Sequence, residues 1–158
     1  MKWRTFKMAS ELPVEKMLLS EVLQKVSNAK TKKEKITLLQ KFKTPALQSI
    51  LIWNFDDSVV SMLPEGEVPF TANDSPKGTE HTILLHEYKK LYNFVKGGND
   101  GLQRSRREMI FIQLLEGLHV DEANVLCLAK DKKIGKRYKI TKACVSEAYP
   151  EIQWGNRS

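Results

Sequence analysis

No stretch of this sequence approaches the ~18 consecutive apolar residues a membrane-spanning helix needs, and its opening, MKWRTFKMASELP, lacks the apolar core of a secretory signal. These absences give the expectation of a cytoplasmic protein with no membrane partner. Cysteine is scarce: Cys127 and Cys144 are the only two, each set in an apolar helical pattern where a thiol packs as a small hydrophobe. Histidine is thin as well. His81 and His86 lie five apart, so on a helix they point roughly 140° away from each other and share no face, as a metal pair four apart would. Cys127 and His119 carry no local signature of a nucleophile and its base. Glu65, Glu67 and Asp74 match no cation-loop spacing. The glycine-bearing run KGGNDG at 96–101 follows no strand pattern and is expected to be a helix stop and turn. Nothing here supports an enzyme, a metal, a cofactor or a small-molecule substrate.

Charge is plentiful and unevenly placed. The net +7 divides into +7 over 1–43, −4 over 44–103, −1 over 104–129 and +5 over 130–158. A chain basic at both ends and acidic in the middle suits nucleic acid, and equally an acidic protein surface.

The apolar residues recur at helical spacing, and 41% hydrophobic content in 158 residues is enough for one core. The expected fold is mainly α, a single compact helical domain of about seven helices with one long irregular central loop. Residues 1–12 are expected to be a flexible tail, with Met8 as an alternative start. An N-terminal helical unit then covers 13–55. Val14, Leu18, Val22 and Val26 predict a helix over 14–28; Thr31 and Glu34 make a capping box before a helix over 32–42; Thr44 and Pro45 open a third.

Residues 56–79 hold three prolines, two glycines and five acids and read as a crossover loop. Its centre, LPEGEVPF, mixes apolar and acidic side chains. It is expected to be a connection pinned by Leu63, Val68 and Phe70, or a strap for a protein partner through Leu63, Pro64, Glu65, Glu67 and Phe70.

A C-terminal helical unit covers 80–154 and is expected to pack with the first as one domain. Its helices are predicted over 80–96, from a second capping box at Ser105 and Glu108, over 120–130, and from Thr141 to the proline at 150. Between the last two lies AKDKKIGKRYKIT, with Lys130, Lys132, Lys133, Lys136, Arg137 and Lys139 against Asp131 alone. A helix-turn-helix is a poor match, because about ten residues separate the helices where three or four are expected. Contact with the phosphate backbone is easier to defend than a helix-turn-helix. Lys130, Lys132, Lys133, Lys136, Arg137, Lys139 and Lys142 would meet the backbone while Tyr138 stacks on a base. Docking on an acidic protein and a merely solvated turn stand beside it. The run Lys30, Lys32, Lys33, Lys35 would extend the surface if the two units pack together, and Arg104, Arg106 and Arg107 form a third cluster.

The segments NAKTKKEKITLLQ, LPEGEVPF, RREMIFIQLLEGLHVDEANVLCLAKDKKI and YKITKACVSEAYP, in that order over 20–154, resemble a family of small uncharacterised proteins of T4-like tailed bacteriophages. The resemblance implies a place in the cytoplasm of an infected bacterium and a task in replication, transcription, host takeover or virion assembly. The expected function is a non-enzymatic phage accessory protein binding nucleic acid, or a nucleic-acid-handling machine such as a polymerase or replisome, through its basic surface. The alternative is a virion-assembly or host-takeover protein docking through 63–70.

Overall fold

A computed structural model describes residues 17–72 and 82–157. The expected tail, the start of the first helix at Val14, and Asp74 and His81 lie outside the described residues. Three of the helices begin on a threonine hydroxyl, as the sequence predicts. Thr31 Oγ1 accepts from the Glu34 amide (3.1 Å) to open α2 (Lys32–Lys41), which follows α1 (Leu19–Asn28). Thr44 Oγ1 accepts from Leu47 (3.1 Å) to open α3 (Pro45–Phe55), with proline at the first position. Thr141 Oγ1 accepts from Cys144 (3.2 Å) to open the last helix, α8 (Lys142–Ala148). Each cap satisfies an amide that the helix itself cannot pair.

The middle of the chain departs from expectation. In place of one helix over 80–96 there is a single α-turn, α4 (Leu84–Glu87), running into a 3₁₀ stretch (Tyr88–Phe94). The chain then leaves helical geometry because it pairs with the crossover: Ser61 bridges Val95 antiparallel, the Met62 amide donates to Phe94 O (2.7 Å), and the Lys96 amide to Val60 O (2.8 Å). The next helix, α5 (Arg104–Gly117), starts ahead of the predicted capping box, with Glu108 engaged by Arg104 (3.2 Å) instead of a cap amide. Arg107 explains the shift. Its buried guanidinium donates to the carbonyls of Asn93, Asn99 and Leu102 at 2.9–3.0 Å, so the preceding turn is wound around it.

After a break at Leu118, α6 (Val120–Lys130) runs through the centre and packs on α1, α3 and α5. Its first-turn acid has a second employment. Glu122 is fully buried, with Oε2 accepting from the Leu19 amide (2.7 Å) and Oε1 from the Leu84 amide (2.9 Å), the first amides of α1 and α4. One carboxylate therefore ties two helix starts, where the dipole favours negative charge. A helix absent from the sequence reading, α7 (Ile134–Arg137), occupies the basic turn. The described residues thus hold eight α-helices and no strand beyond the isolated bridge.

One apolar cluster joins all of this into a single domain. Phe94 meets Phe111 edge-on at 5.0 Å, and Leu23, Ile50, Leu115, Leu126 and Val145 are inaccessible. Elements far apart in sequence close on each other: α2 lies against α8, and the buried Tyr149 hydroxyl donates to Leu39 O. Asp56, following α3, receives the Ser58 amide (2.9 Å) and hydroxyl (2.7 Å), the Gly155 amide (3.0 Å) and the Arg157 guanidinium (2.7 Å). Burial works against the Asp56 charge, but these donors outweigh it and bring the carboxyl down to about 2 from an ordinary 3.8. A lowered folded value means the carboxylate stabilises the fold above the unfolded pKa and ceases to as pH falls through the folded one. Stability should therefore drop by about 2 kcal/mol between pH 4 and pH 2 on account of this group. Urea unfolding at the two pH values should show a smaller drop in Asp56→Asn; an equal drop would remove Asp56 as the cause.

Candidate nucleic-acid interface

The basic turn begins with a helix ending that places its lysines on different sides. Lys133 N donates to Leu128 O (2.8 Å) and Lys132 N to Ala129 O (3.1 Å), the paired bonds of a Schellman motif closing α6. That motif needs a left-handed residue at the position of Lys132, which has φ 58° where glycine is the usual occupant. The backbone consequently reverses at Lys132, and the side chains before and after it diverge.

Two of the lysines expected on the surface are turned inward. Lys130 is buried, its Nζ donating to Pro64 O (2.8 Å) and Gly66 O (3.0 Å) and pairing with Asp131 Oδ1 at 2.6 Å. Asp131 Oδ2 in turn accepts from the Gly66 amide (3.2 Å), so Lys130 and Asp131 clamp the crossover at a glycine with φ +98°. Lys132 Nζ donates to Trp53 O (2.7 Å) and Asp56 O (2.9 Å), capping the end of α3. Burial lowers its pKa against the pull of Asp57 and Asp56. In return Asn54 Oδ1, from α3, takes the Ile134 amide (2.9 Å) at the start of α7. Tyr138 is likewise withdrawn: its ring is buried beneath the Arg137 guanidinium at 4.7 Å, and burial raises its hydroxyl pKa. It is not a free stacking platform. Long apolar stems let lysine ammonium groups reach interior carbonyls, which a reading of charge along the chain misses.

Lys136, Arg137, Lys139 and Lys142 are exposed, and Lys133 is half-exposed. The N-terminal lysine run joins them. Lys35 Nζ bridges Ser27 O (3.3 Å) and Lys139 O (2.6 Å), Ser27 Oγ accepts from the Lys139 amide (2.9 Å), and Lys32 pairs with Glu147 of α8 (2.8 Å). That bond to Glu147 raises the Lys32 pKa. Lys25, Lys133 and Arg137 line, together with Glu21, Glu67, Asp121 and Asp131, a groove of about 770 Å³ between α1, α6 and the crossover. Lys142 sits over the Trp154 ring at 5.1 Å. Lys30 and Lys33 are exposed. Of the third cluster, Arg104 and Arg106 are exposed and Arg107 is buried.

The crossover spends its apolar residues on its own domain. Leu63 is buried, Val68 and Phe70 pack on the core, and the Thr71 amide binds Glu116 on α5 (2.8 Å). Outside are Pro64, Glu65 and Glu67, so the aromatic anchor expected to seat a partner is engaged within the chain. Burial pushes the Cys127 thiol up to about 11 and raises Cys144, the opposite of what a nucleophile requires. Among the described residues no group of His, Cys, Asp and Glu is placed to hold a metal, and no helix is long and apolar enough to cross a membrane.

Residues 22–136 match the profile described as Family of unknown function (DUF6433). Lys139, Lys142 and α8 lie beyond the matched stretch. No curated protein and no solved structure matches the chain.

Proposed function

The chain belongs to that family of unknown function, and from this premise we propose that it is a non-enzymatic phage accessory protein holding the sugar-phosphate backbone of nucleic acid. The contact is made by Lys30 and Lys33 on one side and Lys133, Lys136, Arg137, Lys139 and Lys142 on the other. The observation carrying this reading is the Lys35 ammonium, which joins Ser27 O to Lys139 O and so sets two distant basic segments side by side. The phage setting rests on the sequence resemblance. Withdrawal of Tyr138 makes the contact one of charge, without base recognition, so binding is expected to be indifferent to sequence.

Affinity for mixed-sequence DNA, followed by fluorescence anisotropy, should fall steeply as salt rises, because each neutralised phosphate adds about 0.9 to the logarithmic slope for a duplex. The triple variant Lys136→Glu/Arg137→Glu/Lys139→Glu should bind at least about tenfold more weakly and lose about 3 units of that slope. All three side chains are exposed, so the fold should be retained. A slope that is flat, or unchanged in the variant, would remove the reading.

A further inference from the structure

Away from the basic face, a groove of about 450 Å³ opens between α3, the 3₁₀ stretch and the glycine turn after Val95. Its size lies within the range of pockets that hold small molecules. No aspartate or glutamate lines it among the described residues; its polar side is cationic, from Lys89, Lys96 and Arg157. Asp56 already engages Arg157 at 2.7 Å. Lys89 and Lys96 are exposed, and among the described residues neither ammonium has a hydrogen bond or ion pair. Tyr88 and Tyr92 line the same groove, and Tyr92 is 54% exposed, one of few large rings left open to solvent. Gly98 packs closely on the Tyr92 backbone, where a Cβ would stand 2.0 Å from Tyr92 O.

The Trp53 ring contributes to the wall of the groove, while its Nε1–H is fully enclosed and has no acceptor among the described residues.

We propose that this groove binds an unpaired nucleobase with its phosphate, the base lying on Tyr92 near the Trp53 ring and the phosphate meeting Lys89 and Lys96. An aromatic platform beside cations and free of carboxylates is the chemistry that takes a base and its backbone together. The chemistry is shared by a free nucleotide and by a single strand. It extends the nucleic-acid reading to a second site, and the two sites can fail separately.

The test uses the full chain with ¹⁵N-labelled tryptophan, titrated in separate arms with mononucleotides, a single-stranded oligothymidylate of about ten nucleotides, and a blunt duplex. The Trp53 indole N–H resonance, assigned by its loss in Trp53→Phe, should shift as a base seats near the ring that lines the groove. A shift with mononucleotide and oligonucleotide alike supports a nucleotide site, and a shift with the oligonucleotide alone supports a strand site. Tyr92→Ala, at an exposed position, should weaken the binding about tenfold, the scale of one base–aromatic stack. Lys136→Glu/Arg137→Glu/Lys139→Glu should leave the indole shift intact even if it abolishes duplex binding. No shift in either single-stranded arm, a shift with duplex only, or equal affinity in Tyr92→Ala overturns the proposal.

Discussion

Replacing Glu122 by alanine is expected to remove about 3–5 kcal/mol of stability, a large share of what a domain this size possesses. Both carboxylate oxygens accept buried amides, Leu19 at 2.7 Å and Leu84 at 2.9 Å, and hydrogen bonds to a charged group contribute about 1.5–3 kcal/mol each. Alanine deletes both acceptors and leaves a cavity in the middle of the helix packing. Glu122→Gln isolates the polar part of the loss: the volume stays, but one acceptor becomes an amide donor facing a backbone N–H. It should fall between wild type and alanine. Urea midpoints at constant slope report the ranking. If glutamine matches wild type, the two amides draw no support from the carboxylate.

Lys130→Met should cost about 3 kcal/mol or more, although the substitution keeps most of the side-chain volume and sits in what reads as a solvated basic turn. Methionine leaves the Asp131 carboxylate and the carbonyls of Pro64 and Gly66 without their donor in a site where the lysine side chain is wholly enclosed. Breaking one half of a buried pair is more damaging than never having had it. The loss should be local in its first sign: the Gly66 amide, which depends on Asp131, should exchange its hydrogen faster, and a protease should cut the crossover near Glu65 more readily. By contrast Lys136→Met, at an exposed position, should shift the midpoint by less than about 0.5 kcal/mol. Equal midpoints for the two variants would contradict the clamp.

Local grammar was readable in advance, and long-range employment was not. Thr31, Thr44 and Thr141 announce helix starts because a cap and its amide are three residues apart, and the bounds of α6 follow from its acidic first turn and basic end. Glu122 and Lys130 carry ordinary signals of the same local kind, first-turn acid and last-turn base, yet their partners lie up to 103 residues away. Nothing in their neighbourhood marks them as interior. The 3₁₀ stretch is a similar case: the periodicity of Leu84, Tyr88 and Leu91 is helical, and pairing of 60–62 with 94–96 overrides it. For the candidate face, the packing of first unit on last was foreseeable as a condition. That Lys130, Lys132 and Tyr138 would be withdrawn from it was hidden in the left-handed turn at Lys132, where the sequence shows no glycine.

The closure of Leu39 on Tyr149, and of Asp56 on Gly155 and Arg157, also bears on how the chain is made. Residues translated early wait for partners about a hundred positions further on. Leu39 is the one buried side chain that α2 owns, and its backbone oxygen is bonded from the far end of the molecule. On a translating ribosome α2 therefore emerges well before its counterpart, and this contact closes only once α8 and Tyr149 have also emerged.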